Sequence, residues 1–270
     1  MEEKRYSRQS FLGGNSETLI GSIIIGVVGL GGGGSHIVQQ LAHAGFKNYV
    51  LYDPDIIKYP NLTRNIGATE SDALFGQNKT EISERQIRAL HGNARIRAYT
   101  EKWQNNPIPL RECDIIVGGV DGFAERRDLE ATARRYLIPY IDVGMTITHV
   151  LPEPPRMSGQ VFVSMPGHLC MKCVGLINEG NLSREAANYG DAGPRPQVVW
   201  ANGLLASTAI GILVNLITGW SGESGKVIYL MYDGNKNTIQ PHARLGHLDI
   251  SAQCPHYPDD QVGDPRFRAL

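Results

Sequence analysis

Through the first half of the chain, apolar runs that lack polar alternation take turns with stretches of helical spacing. Residues 23–28 are apolar and largely β-branched, a pattern that predicts a strand covered on both faces. Residues 33–44 follow with helical character, and Gly45 supplies a natural stop. Residues 49–53 read as a second strand. The helix predicted for residues 80–91 places Ile82, Ile87 and Leu90 on one face. Residues 96–99 and 113–117 are further strands, residues 124–136 a charged helix, and residues 138–143 another strand. This alternation predicts an α/β fold with a doubly wound, Rossmann-like, mostly parallel sheet.

The second half is less regular. A proline-rich stretch, "VLPEPPRMSG", leads into a strand at residues 160–164. Residues 181–196 are polar and hold glycine and proline, so a mobile loop is expected there. Residues 201–218 are apolar and long enough for a buried helix. "KVIYLMYDGNKNTIQPHA" predicts a hairpin turning at Gly234 and Asn235, so the C-terminal strands are expected to be antiparallel. The expected organisation is an N-terminal arm with a short helix at residues 1–22, a nucleotide-binding domain at 23–245, and a tail at 246–270.

Composition narrows the class without naming a function. The 270 residues are 41% hydrophobic with a net charge of -1, which describes an ordinary globular protein and gives no support to a nucleic-acid partner. "MEEKRYSRQSFLGGNSETLI" is too polar for a signal peptide, and no later stretch approaches a span of uninterrupted apolar residues. No membrane association is therefore expected. Four cysteines are too few for a secreted disulfide scaffold, and their clustering points to metal in a reducing compartment. A cytoplasmic enzyme is the expectation.

The chemistry begins at "VVGLGGGGS". Gly29, Gly31 and Gly34 fit G-x-G-x-x-G between a strand and a helix, where backbone can approach phosphate oxygens at a helix N-terminus. Asp53 ends the next strand, at the distance from the glycines where an acid meets ribose hydroxyls. NAD and ATP both satisfy these features. Splitting a triphosphate also calls for cations on the departing pyrophosphate and a carboxylate to hold metal. Arg64, Lys79 and Asp121 are of those types, and Asp121 follows a strand end where open α/β sheets bind ligands.

With these residues in view, the chain resembles the adenylyltransferases that activate sulfur-carrier and ubiquitin-like proteins. The resemblance runs through "RYSRQ", "VVGLGGGGS", "LYDPDIIKYPNLTRN", "GQNKTE", the "VDG" turn, "MSGQVFV", "CMKC" and "GKVIYLMYDG". It implies reaction of Mg-ATP with the C-terminal glycine carboxylate of a small β-grasp carrier ending in Gly-Gly, releasing pyrophosphate. It implies that Gly31 and its neighbours Gly29, Gly32 and Gly34 lie by the α-phosphate and that Asp53 binds ribose. Asn61, Arg64 and Lys79 would contact phosphates, with Asp55 and Arg126 behind them. Asp121 would hold magnesium. Arg8 would reach across a homodimer to the partner's phosphates.

The resemblance also bears on the cysteines. Family members often carry C-x-x-C twice around a structural zinc, and here Cys170 and Cys173 supply one pair. "CPHY" supplies Cys254 and His256 but places Tyr257 where a fourth cysteine would stand. A Cys₃His zinc site in a small appendage completed by the tail is expected, with His247 and His168 as alternatives to His256. An empty site or a redox pair are the competing readings. Several relatives use a nucleophilic cysteine before the long apolar helix, but residues 181–196 hold none, and Tyr189 stands near that position. Cys113 is expected to be an inert buried thiol. The enzyme would then stop at the adenylate. Gly122 departs from the asparagine that often follows the metal-binding acid. The competing functions are a non-catalytic dimeric scaffold, an NAD-dependent oxidoreductase, and activation of a peptide or of a carboxylate in tRNA modification.

Overall fold

The computed structural model describes residues 5–149, 151–187, 196–222, 228–257 and 262–263. A single eight-stranded sheet runs through them in the order β3-β2-β1-β4-β5-β6-β7-β8. Its strands are β1 (Ile24–Val28), β2 (Asn48–Tyr52), β3 (Arg95–Tyr99), β4 (Ile115–Gly118), β5 (Tyr140–Thr148), β6 (Arg156–Ser164), β7 (Ile228–Asp233) and β8 (Thr238–Pro241). Pairing is parallel from β3 to β5 and antiparallel from β5 to β8. The fold class predicted from patterning is the one observed.

Among the described residues, seven α-helices accompany the strands: α1 (Ser16–Ser22), α2 (Gly32–Ala44), α3 (Glu70–Phe75), α4 (Lys79–Leu90), α5 (Phe123–Arg135), α6 (Glu179–Ala187) and α7 (Val199–Thr218). Alternate residues of β1 explain its all-apolar sequence. Ile25 and Val27 enter a core with α2, α4 and α7, while Val28 enters a second core with α5 and the cysteine-bearing turn. Burying each such side chain contributes about 1.5–3 kcal/mol. The apolar α7 is the only described helix that is long and apolar enough to cross a membrane by length and composition. Here it packs on α2, β5 and β6, with Leu205, Ala209 and Leu213 inside the core.

Two sequence expectations shift. The strand expected at 160–164 begins at Arg156, because its antiparallel partner β5 extends to Thr148 and gives the earlier residues backbone hydrogen-bond partners. The expected loop at 181–196 is helical through Ala187. Asn178 Oδ1 accepts the Asn181 N–H at its start, and Leu182 packs on the second core. Residues 188–195, including Tyr189, lie outside the described residues. The hairpin turns through residues 234–237, with Asn237 at a φ of 52°.

Candidate functional site

Strands β1 and β4 are adjacent and parallel, and the chain moves away from them in opposite directions, to β2 and to β5. That is the switch point at which open sheets leave a crevice at their C-terminal edge. The crevice holds a cleft of about 840 Å³. Helices α2, α5 and α7 all contribute residues near their N-termini to its lining, among them Gly32, Phe123 and Asn202. Three helix starts bring unpaired N–H groups and partial positive charge to one place.

The glycine loop is shaped by backbone approach. Gly29 has a φ of 87°, and a Cβ there would stand 2.7 Å from the Gly119 carbonyl oxygen. A Cβ on Gly34 would lie 1.9 Å from the Gly29 oxygen, so Gly34 supports the turn from behind and does not line the cleft. Gly31 faces open space and a Cβ on Gly33 would meet only Asn202 Oδ1, at 3.8 Å, so a side chain at either position would fill the cradle at the start of α2. The cradle fits a phosphate.

Asp53 braces this loop. Its buried carboxylate accepts the Leu30 N–H at 2.6 Å and the Asp55 N–H at 2.8 Å. Burial raises its pKa, and the nearby Lys79 ammonium opposes that shift. Lys79 Nζ lies 3.4 Å from Asp53 and 2.7 Å from Asp55, so one cation ties two acids at the cleft wall. Asn65, which sequence reasoning passed over, donates from Nδ2 to the Leu30 carbonyl at 2.8 Å and fixes the loop from the other side. Asn61 accepts the Lys58 N–H at 2.9 Å, and Arg64 donates to the Pro60 carbonyl at 2.8 Å. Both line the cleft, as does exposed Asp121 across from them. Arg8 does not line it and is exposed on the N-terminal 3-10 turn.

Deeper in, Arg126 is paired with Asp142 on β5, and it donates to the Val120 carbonyl at 2.5 Å. Tyr140 donates to the same carboxylate at 3.0 Å and Gln160 at 3.4 Å. Only Arg126 was singled out from sequence, because its partners come from strands whose residues read as ordinary core. Glu125, one turn beyond Asp121, has its pKa raised by burial first and by the Asp121 charge as well, against hydrogen bonds that lower it. At Gly122 the absent side chain leaves room for Glu185 of α6, which accepts the Ala124 N–H at 2.9 Å and caps α5.

Cys170, Cys173, Cys254 and His256 converge at the other end of α5, with all four ligand atoms within 4.8 Å of one another. The sulfurs of Cys170 and Cys173 are 3.6 Å apart, and those of Cys173 and Cys254 are 3.7 Å apart. A tetrahedral zinc with Zn–S of about 2.3 Å sets sulfurs about 3.7 Å apart, so the cluster fits that ion. His256 Nδ1 stands 3.3–4.0 Å from the three sulfurs, whereas His247 and His168 are outside the cluster. A hydrogen bond from the Cys170 thiol is the main cause that lowers the Cys254 pKa, while burial raises that of Cys173. Cys113 is buried, with its thiol 3.8 Å from the Pro109 carbonyl. Tyr257 donates to Glu130 at 3.1 Å and lies under the Arg134 guanidinium. Glu130 also accepts Ser164 Oγ at 2.6 Å and the Met171 N–H at 3.0 Å, which ties the tail, α5, β6 and the cysteine turn together.

Residues 6–252 match the ThiF family. The chain belongs to the ThiF family. The molybdopterin-synthase adenylyltransferase of Escherichia coli (strain K12) is 28% identical over 86% of this chain and 88% of that protein. The sulfur carrier protein ThiS adenylyltransferase of the same strain is 25% identical over 86% and 88%. Escherichia coli MccB, solved with ATP, superposes with a TM-score of 0.73 at 20% identity, covering 89% of this chain and 71% of that one. The last likeness shows a shared fold. Membership makes this ThiF-family chain an ATP-dependent adenylyltransferase and sets aside the hydride-carrier reading of its glycines.

Proposed function

We propose that the protein adenylates the C-terminal glycine carboxylate of a small β-grasp carrier or ubiquitin-like protein ending in Gly-Gly. The observation that carries this is the cleft itself: a phosphate cradle at α2, cations at one wall, and Asp121 at the other. Besides the cradle, Met145, Ile147 and Thr148 of β5 line the cleft, which leaves room for a tail. The carboxylate oxygen attacks the α-phosphorus, the bond to the β-phosphate breaks, and its electron pair leaves with pyrophosphate. No general base is called for, since the carboxylate is already ionised at neutral pH.

Catalysis is then positioning and charge stabilisation. Gly31–Gly33 N–H groups hold phosphate oxygens, Asp53 orients the loop and meets the ribose, and Asn61, Arg64 and Lys79 receive the departing charge. Asp55 keeps Lys79 in place through its 2.7 Å contact. Asp121 would hold magnesium, which supplies charge neutralisation on the polyphosphate. Arg8, exposed on the arm, would complete the site of a second copy in a homodimer. Cys170, Cys173, Cys254 and His256 would hold a structural zinc. With three of four cysteines there and Cys113 buried, no thiol remains for a thioester, and the adenylate passes to another protein. The arm at 1–22, domain at 23–245 and tail at 246–270 are the working units of this reading, in a reducing, cytoplasmic setting that keeps the cysteines from oxidising to disulfides.

The test is ATP–pyrophosphate exchange with Mg²⁺ across a panel of β-grasp proteins, each beside a copy lacking its last glycine. Exchange that needs the terminal glycine and falls at least about a hundredfold in Asp121→Ala is expected. ATP binding with silence across the panel leaves a wrong partner or a non-catalytic scaffold.

A further inference from the structure

Asn202 sits in the first turn of α7, inside an otherwise apolar run, and is 4% exposed. Its Nδ2 has no hydrogen-bond partner among the described residues. The amide lies against the α2 start: a Cβ on Gly32 would stand 2.2 Å from Nδ2, and Asn202 lines the cleft. Burying an amide donor without an acceptor costs about 1–3 kcal/mol, so the group is matched to an acceptor that arrives from outside. The free N–H groups of the first α2 turn point to the same place. A buried donor beside a helix N-terminus selects an anionic oxygen.

We infer that Asn202 Nδ2 donates to a non-bridging oxygen of the ATP α-phosphate, a role that rests on the adenylation reading above. Two placements favour this oxygen over those of the leaving pyrophosphate. Asn202 adjoins the Gly31–Gly33 cradle. Lys79 and Arg64 enter the cleft from other elements, α4 and the turn after β2. The bond that forms joins the tail carboxylate to the α-phosphorus, and charge grows on the equatorial oxygens as it does. A donor fixed there in a dry site acts most strongly at that moment.

The two diastereomers of ATP carrying sulfur on the α-phosphate test this without any carrier, because sulfur accepts a hydrogen bond poorly. Binding is measured with Mg²⁺ on the full chain in wild type, Asn202→Ala, Asn202→Ser and Asn202→Asp, each checked for an unchanged thermal transition. Wild type is expected to prefer one diastereomer by about tenfold, and Asn202→Ala to lose that preference. Asn202→Ser, which keeps a donor, is the variant to use if alanine does not fold, and it should retain part of the preference. Asn202→Asp sets a carboxylate against the phosphate and should weaken ATP at least about tenfold. A preference that survives in Asn202→Ala, or ATP binding in Asn202→Asp equal to wild type, overturns the assignment and leaves the adenylation reading standing. Wild type that binds no ATP overturns both.

Discussion

Lys79 at the cleft and Arg134 beneath the cysteine cluster each meet carboxylates, yet in different settings. Lys79 spans buried Asp53 and Asp55, and the Asp55 side chain is 66% exposed. Arg134 and its partner Glu130 are sealed, with side-chain exposures of 2% and 1%. A half-open pair can exchange one partner for an arriving phosphate at little cost. A sealed pair cannot, because removing either member strands a charge in a medium that solvates it poorly. One end of α5 is therefore built to respond to a ligand and the other to hold the chain in place. The parallel half of the sheet carries the first, and the antiparallel strand β6, through Ser164, helps to carry the second.

The largest expected effect breaks the responsive side. Lys79→Ala should lower pyrophosphate exchange per folded molecule by about a hundred- to a thousandfold, with a smaller loss of stability because buried Asp53 loses its cation, which kinetics beside calorimetry would check. An equal loss of stability would show that Lys79 is structural after all. Glu130→Gln should do the reverse. It leaves the Arg134 charge buried without its counter-charge and costs about 3–5 kcal/mol in denaturant unfolding, with exchange per folded molecule retained.

Tyr257→Phe sharpens the comparison at smaller scale. Losing its hydrogen bond to a charged acceptor should cost about 1.5–3 kcal/mol. On chelation, the variant's tail should lose amide protection that wild type keeps, because Tyr257 anchors it independently of the metal. Equal exchange in both would assign the anchoring to the metal alone. The smallest effect is expected at Asp72, whose carboxyl the Arg85 guanidinium holds well below the usual range. A depressed acid stabilises the fold above its unfolded pKa of about 4 and loses that contribution as pH falls toward its folded value. Because Arg85 is half exposed, Asp72→Asn should cost only about 1 kcal/mol at pH 7. The variant and wild type should converge in acid.

How much of this was legible beforehand depended on how local the signal was. The strands of the parallel half declared themselves through unbroken apolar runs, and the cradle through glycines bounded by a strand and a helix. The 181–187 segment did not, because the helix there depends on a cap at Asn178 and on Leu182 finding a core formed by distant residues. The four-residue cluster was half visible as "CMKC". That His256 completes it, in place of His247 or His168, follows from where the tail docks.

Asn202 is the clearest case of what one dimension conceals. A lone amide in an apolar helix says only that something polar meets it. The packing of α7 against α2 sets it at Gly32. Arg126 likewise announces a charge, while Asp142, Tyr140 and Gln160 read as residues of ordinary strands until β5 and β6 pair. The order of hydrophobic and glycine positions, by itself, determined the layered α/β fold and the phosphate cradle, since both rest on backbone geometry and short-range spacing. Only the tertiary structure decided which buried polar groups are partnered and which are left open, because hydrogen-bond partners are chosen by distance in space and not along the chain.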